Sequence, residues 1–200
     1  HIINLGGYGG ASAENMVVRD LRIGGSGGYE NINSCIRIVA GSGDNLLYNL
    51  HLHNAHWAIR LMWTSGVRLI RSVIDGTADD GLFSQNGSNV EIGWCSVRMV
   101  NQRYHYVGTS EGDAGGDGIQ FHCDGSCGNL HLHDNYIDRT DSGNKFCIIT
   151  HQNEAGHQLI ENNYCRVGPH VVGYYLNSFS PDTSTIFRFN VVDNDLSTHS

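Results

Sequence analysis

The sequence predicts an all-β fold, a right-handed parallel β-helix built as a single-stranded solenoid of about seven coils. Three observations predict it: seven short apolar segments recur along the chain, residues alternate with period two inside each, and the side chains at equivalent positions form columns of constant character. A helical solenoid needs apolar residues three and four apart over ten or more positions, and these segments are too short for that.

The repeat reads VVRDLRI (17–23), LYNLHL (47–52), LIRSVI (69–74), IGWCSV (92–97), LHDNYI (132–137), IENNYC (160–165) and FRFNVV (187–192). One column, Val18, Leu47, Leu69, Ile92, Leu132, Ile160 and Phe187, is apolar throughout. So is the column of last residues, Ile23, Leu52, Ile74, Val97, Ile137, Cys165 and Val192. Two residues before the last stand Leu21, Leu50, Ser72, Cys95, Asn135, Asn163 and Asn190, which end in a predicted asparagine ladder at a repeated bend.

A further strand in most coils, CIRI (35–38), AIRL (58–61), GLFS (81–84), GIQF (118–121), CIIT (147–150) and GYYL (173–176), places Ile36, Ile59, Leu82, Ile119, Ile148 and Tyr174 inward. Each follows a small residue: Cys35, Ala58, Gly81, Gly118, Cys147 or Gly173. Successive copies lie 29, 22, 23, 40, 28 and 27 residues apart, which suits three strands per coil joined by turns of unequal length. With coils about 4.8 Å apart, seven make a rod roughly 30 Å long.

Residues 1–200 read as one β-helix domain, because no break in composition divides them. Open solenoid ends need covering, and neither HIINLGGYGG nor STHS reads as a cap. The expectation is a fragment of a longer chain, or end-to-end self-association. A net charge of −8 disfavours a general binder of nucleic acid or anionic membrane, and no apolar run has the length of a membrane span.

Of the six cysteines, Cys35, Cys95, Cys147 and Cys165 read as small core or stack residues, since their column mates lie too many coils apart for a disulfide. Cys123 and Cys127 flank a single turn and are expected to pair, with metal ligation the lesser alternative. A disulfide there suits an extracellular, secreted protein. In HLH (51–53 and 131–133) both imidazoles of each copy share one outward face, and solvated surface histidine is the reading preferred to zinc ligation.

If the Ile119 column points inward, the next residues, Arg37, Arg60, Phe83, Gln120, Ile149 and Tyr175, point out. So do Val39, Met62, Gln85, His122, His151 and Asn177. The strip they form offers Arg37, Gln120 and Tyr175 for substrate binding and Arg60, His122 and His151 for catalysis. Asp79, Asp80 and Asp117 lie just upstream, Asp80 and Asp117 as candidate catalytic acids and Asp79 as a binding residue. The insertion at 98–116 is expected to rise beside Asp117 as a wall carrying Arg103, Tyr104, His105 and Tyr106, with Tyr104 and Tyr106 stacking on sugar rings. Asp before Gly is also a common turn device, and the arginines can serve simply as ion-pair partners of Glu30 or of acidic loops.

Over roughly its whole length the chain resembles the pectin-lyase-like superfamily, and 45–97, NLLYNLHL…WAIRLMWTSGVRLIRSVID…DDGLFSQNGSNVEIGWCSV, is similar in rhythm to pectate lyases. Where those enzymes carry Trp-Ile-Asp-His this chain has Arg68, Leu69, Ile70 and Arg71. Asp117-Gly118 and Asp79-Asp80 resemble the Asp-Gly and Asp-Asp pairs of polygalacturonases, in reversed order and without the Gly-His-Gly that follows. The resemblance implies a polysaccharide partner and Ca2+ as cofactor.

Two reactions fit the strip. In β-elimination on an acidic glycan, the reading preferred here, Arg60 or Arg37 binds a uronate carboxylate and His122, His151 or Tyr104 handles protons. In inverting hydrolysis, Asp80 and Asp117 act as acid and base, about 6.5–9.5 Å apart. A non-catalytic adhesin, spike or filament module is the reading from a different class.

Overall fold

A computed structural model of the protein describes residues 2–6, 13–24, 34–40, 43–77, 79–98, 116–124, 127–139, 146–152, 156–168, 171–178 and 184–194. Among them there is no helix, and the strands stack into three parallel sheets of seven, one strand per sheet in each rung. This is a parallel β-helix. The A sheet contains Ile3–Leu5, Ser34–Val39, Trp57–Met62, Leu82–Gln85, Ile119–Cys123, Phe146–Gln152 and Val172–Ser178. The B sheet contains Val17–Arg19, Leu46–Tyr48, Arg68–Ile70, Val90–Gly93, Leu130–His133, His157–Glu161 and Ser184–Arg188. The C sheet contains Arg22–Gly24, His51–Ala55, Val73–Thr77, Ser96–Arg98, Tyr136–Arg139, Tyr164–Val167 and Val191–Asn194.

The apolar columns of the repeat are the register of these sheets. Val18, Leu47, Leu69, Ile92, Leu132, Ile160 and Phe187 are successive partners in the B sheet. Ile23, Leu52, Ile74, Val97, Ile137, Cys165 and Val192 are successive partners in the C sheet. Ile36, Ile59, Leu82, Ile119, Ile148 and Tyr174 follow one another in the A sheet. A one-residue slip would turn every one of these side chains out of the core, so the inward columns hold the register. The small column beside Ile119 is small for lack of space: a Cβ on Gly118 would lie 2.6 Å from the Cys147 carbonyl oxygen, and one on Gly173 would lie 2.5 Å from a Val192 methyl.

Between its B and C strands the chain turns a corner through one residue of left-handed backbone in every rung: Asp20, Asn49, Arg71, Trp94, Asp134, Asn162 and Phe189, with φ of 50–57°. Asn and Asp tolerate this region, whereas Arg, Trp and Phe adopt it at a cost of about 1–2 kcal/mol. From the third rung on, the next residue, Ser72, Cys95, Asn135, Asn163 or Asn190, hydrogen-bonds the corner with its side chain. Asn135 and Asn163 each accept the backbone N–H of the preceding rung, from Cys95 and Asn135, and donate to a carbonyl there, of Ile92 and Leu132. Their amides also bond one another and Asn190, Asn135 to Asn163 and Asn163 to Asn190, both at 2.9 Å. Ser72 fills the same position with its hydroxyl, accepting from Leu50 N–H, and Cys95 does so with its thiol, facing the Gly93 and Leu69 carbonyls.

Cys123 and Cys127 form a disulfide, and Cys35, Cys95, Cys147 and Cys165 are free and buried.

Candidate functional site

The outward strip of the A sheet has the register its columns require. Arg37 pairs with Arg60, Arg60 with Phe83, Phe83 with Gln120, Gln120 with Ile149 and Ile149 with Tyr175. Two residues on, Val39, Met62, Gln85, His122, His151 and Asn177 form the parallel row. Arg37, Arg60, Gln120, His122 and His151 are half-buried and Tyr175 is exposed, while Val39, Met62 and Ile149 are buried despite belonging to outward rows. The strip is therefore polar in patches. Its first patch is Arg37 and Arg60, the latter with its guanidinium 4.6 Å from the Trp57 ring centroid and 5.9 Å from that of Phe83.

The second patch gathers around His122. Its Nε2 lies 2.6 Å from Asp124 Oδ1, and Gln85 donates to the other carboxylate oxygen at 3.3 Å. The His122 contact, seconded by Gln85, holds the Asp124 carboxyl below the ordinary carboxylate range. His151, one rung further, stands 5.9 Å from the His122 ring and 5.5 Å from Tyr175. Partial burial and the neighbouring His122 push the His151 pKa down, which favours its neutral imidazole. Arg60 belongs to a rung two removed from His122, about 10 Å along the rod.

The aspartates stand differently. Asp80 and Asp117 are 4 % and 5 % exposed. Asp80 Oδ1 accepts the Asp117 backbone N–H at 2.6 Å, and Asp117 Oδ1 accepts that of Phe146 at 2.9 Å, so each carboxylate ties its rung to the next. Asp79 is more open and lies 3.4 Å from buried His56 Nε2. Tyr104 and Tyr106, with Arg103, His105 and the rest of the expected wall between Arg98 and Gly116, lie outside the described residues, as does Glu30.

A groove of about 710 Å³ runs along the outer face of the B sheet. One wall is the corner leading into that sheet, where Asn15, Asp44, Gly66 and Asn89 all adopt left-handed backbone, with Asn129 below them. Asn129 donates to Asn89 Oδ1, and Asn89 to Ser65 Oγ, in a polar ladder along the groove. The opposite side is the outward row Arg68, Glu91, His131 and Leu159, paired rung to rung.

Glu91 and His131, which line this groove, and buried His133 beside them each offer a ligand atom within 4.8 Å of the others, the one such group among the described residues. His133 is buried because Gly93, its partner one rung up, leaves room: a Cβ there would come within 2.4 Å of the ring. Trp94 packs edge-on against the same imidazole at 4.5 Å. The sequence reading of 131–133 as solvated surface histidine is corrected for His133, which is buried at 5 % exposure because Gly93 makes room for its ring. The signal was the B-sheet row Arg68–Glu91–His131, the residues just before Leu69, Ile92 and Leu132 of the repeat, beside Gly93–His133–Glu161.

Ca2+ seeks six to eight oxygens, and the described residues bring no three carboxylates together; two imidazoles in the one available group suit a softer ion.

The fold and these two faces define a parallel β-helix with a basic and histidine-bearing strip on one sheet and a polar groove on the next. No family model, curated protein or solved structure matches the chain.

Proposed function

We propose that the protein is a secreted member of the pectin-lyase-like superfamily that cleaves an acidic polysaccharide by β-elimination on its A-sheet strip. The observation that carries this reading is the in-register order of two arginines and two histidines along one sheet face, with the neutral form of His151 favoured. The rung spacing matches a stepwise polymer: Arg60 and Arg37, two and three rungs from His122, bind uronate carboxylates two or three sugars away from the reacting one, and Tyr175 stacks on a ring. At the reacting uronate, neutral His151 takes the proton α to the carboxylate. The electron pair forms the C4–C5 double bond, the C4–O bond breaks, and His122, backed by Asp124, gives a proton to the departing oxygen. The Cys123–Cys127 disulfide supports an oxidising, extracellular setting.

The test is ultraviolet absorbance of unsaturated product with pectate, alginate and hyaluronan, followed by a reducing-end assay. Wild-type protein should yield unsaturated ends with at least one polymer. Absence of both signals with all three, from protein that melts cooperatively, would end the enzymatic reading. Phe187 and Val192 favour a second reading, end-to-end association: they are 45 % and 49 % exposed, whereas their column mates Ile160 and Cys165 are fully buried. Size exclusion at rising concentration tests it.

A further inference from the structure

We infer that Glu91, His131 and His133 bind a divalent transition-metal ion of the zinc type, with an open coordination position at the wall of the B-sheet groove. This inference is independent of the glycan reading, since the site lies on a different sheet from the strip.

The first support is what surrounds His133. Its Nε2 lies 3.1 Å from Glu91 Oε1 and its Nδ1 lies 2.9 Å from Asp134 Oδ2. A neutral imidazole donates from one nitrogen only. If Nδ1–H is given to Asp134, the Nε2 lone pair faces a carboxylate, and a cation between them turns that repulsion into two bonds. The Asp134 contact is also what a metal-bound histidine requires, a carboxylate on the far nitrogen that fixes tautomer and ring orientation. His131 has the same kind of partner: its Nε2 lies 3.2 Å from Glu161 Oε1, while Arg188 bonds Glu161 Oε2 through Nε and Nη2 at 2.7 and 2.6 Å.

The second support is spacing. Tetrahedral bonds of about 2.0–2.1 Å put ligand atoms roughly 3.3 Å apart. The Glu91–His133 separation is already near that, and the imidazoles of His131 and His133 stack with centroids 4.2 Å apart. Glu91, partly exposed, can turn toward the two imidazoles, whose ligand atoms already lie within 4.8 Å of its carboxylate. Two imidazoles and one carboxylate make a three-ligand set that leaves a fourth position open. Glu91 and His131 line the groove, so an oxygen donor lying there, a water, hydroxyl or carboxylate, completes the sphere.

The chain carries its own control. The other His-Leu-His, 51–53, falls on the C sheet, where Arg22 Nε donates to His53 Nε2 at 3.2 Å. A guanidinium occupies the lone pair a metal would need, and burial together with Arg22 lowers the His53 pKa. The tripeptide is the same, but carboxylates surround one copy and a cation meets the other.

The experiment is calorimetric titration of chelator-treated full-length protein with Zn2+, with Co2+ absorption as a second readout. One equivalent should bind and give the intense visible bands of low-coordinate Co2+. His133→Gln and Glu91→Gln each remove a ligand and should weaken binding by more than the roughly tenfold to hundredfold that losing an outer-shell partner costs, and His53→Gln should leave it unchanged. Glu91→Gln alters a partly exposed side chain, so it stays informative even if His133→Gln fails to fold. Failure to take up one equivalent, or uptake that survives Glu91→Gln undiminished, overturns the inference. Glycan cleavage is read separately, and neither its presence nor its absence bears on the metal site.

Discussion

Asp80 accepts the backbone N–H of Asp117 at 2.6 Å across one rung. Asp117 repeats the device on Phe146, and both carboxylates are almost wholly buried. Their geometry therefore suits rung-to-rung tethers better than an acid and a base flanking a glycosidic bond. Asp80→Ala and Asp117→Ala should each lower stability by about 1–3 kcal/mol, the cost of leaving a buried N–H unpaired. Asp117→Asn, which keeps an acceptor oxygen, should retain most of any cleavage activity. Denaturant melts and initial rates on the same samples check this; a well-folded Asp117→Asn protein without activity would restore the hydrolytic reading.

The asparagine ladder should be the firmest corner of the solenoid. Asn163 accepts from Asn135 N–H, donates to Leu132 O and Asn190 Oδ1, and is 1 % exposed. Asn163→Ala strands several buried groups at once and should cost about 3 kcal/mol or more. Ser72→Ala, which removes a bond to Leu50 N–H and one to Ile70 O, should cost about 1–2 kcal/mol. Equal losses at the two positions, measured by urea unfolding, would show that the amide stack adds nothing beyond a single hydroxyl.

The register was legible because it depends on inward side chains, and these are apolar whatever the length of the intervening turns. Leu52 pairs with Ile74, and Val97 with Ile137 across a 40-residue spacing, as the alignment requires. The Cys123–Cys127 pairing was legible for the same reason, since the column places of the other four cysteines removed them. Burial on the outer faces was not. Val39, Met62 and Ile149 point away from the core and are still covered, and Asp80 and Asp117 are buried by what lies across them, which no column reports. The Glu91–His131–His133 group depends on which sheet a tripeptide lands on and on Glu161 a rung away, so HLH alone could not distinguish a metal ligand from His51 and His53.

Thiol chemistry should separate the two classes of cysteine. Burial pushes the Cys95 thiol up to about 12, and Cys147 is driven upward by burial and then by its contact with Cys165. None of the four free thiols should react with an aromatic disulfide reagent in native protein, and all four should react in denaturant. Prior reduction should expose two more, Cys123 and Cys127, and lower stability by about 2 kcal/mol, as expected for so short a closed loop. A thiol that titrates rapidly in the native state would contradict the buried assignment.

The pH profile tests the proposed base most directly. His151 acts only when neutral, and burial followed by the like charge of His122 lowers its pKa, so the acid limb of kcat/KM should fall below the ordinary histidine value of about 6.5. Replacing His122 with Gln removes the second cause and leaves the first. The His151 pKa should rise, fewer enzyme molecules should carry the free base at a given acidic pH, and the limb should move upward while staying below 6.5. The same variant loses the group that protonates the departing oxygen, so its plateau should fall about 10²- to 10⁴-fold. Arg60→Ala should instead raise KM with little change in the limb, because that side chain lies two rungs from His122 and binds a uronate two sugars from the reacting one. A limb that stays fixed in His122→Gln, or one that persists in His151→Gln, would remove His151 from the reaction while leaving the β-helix and its metal-binding groove untouched.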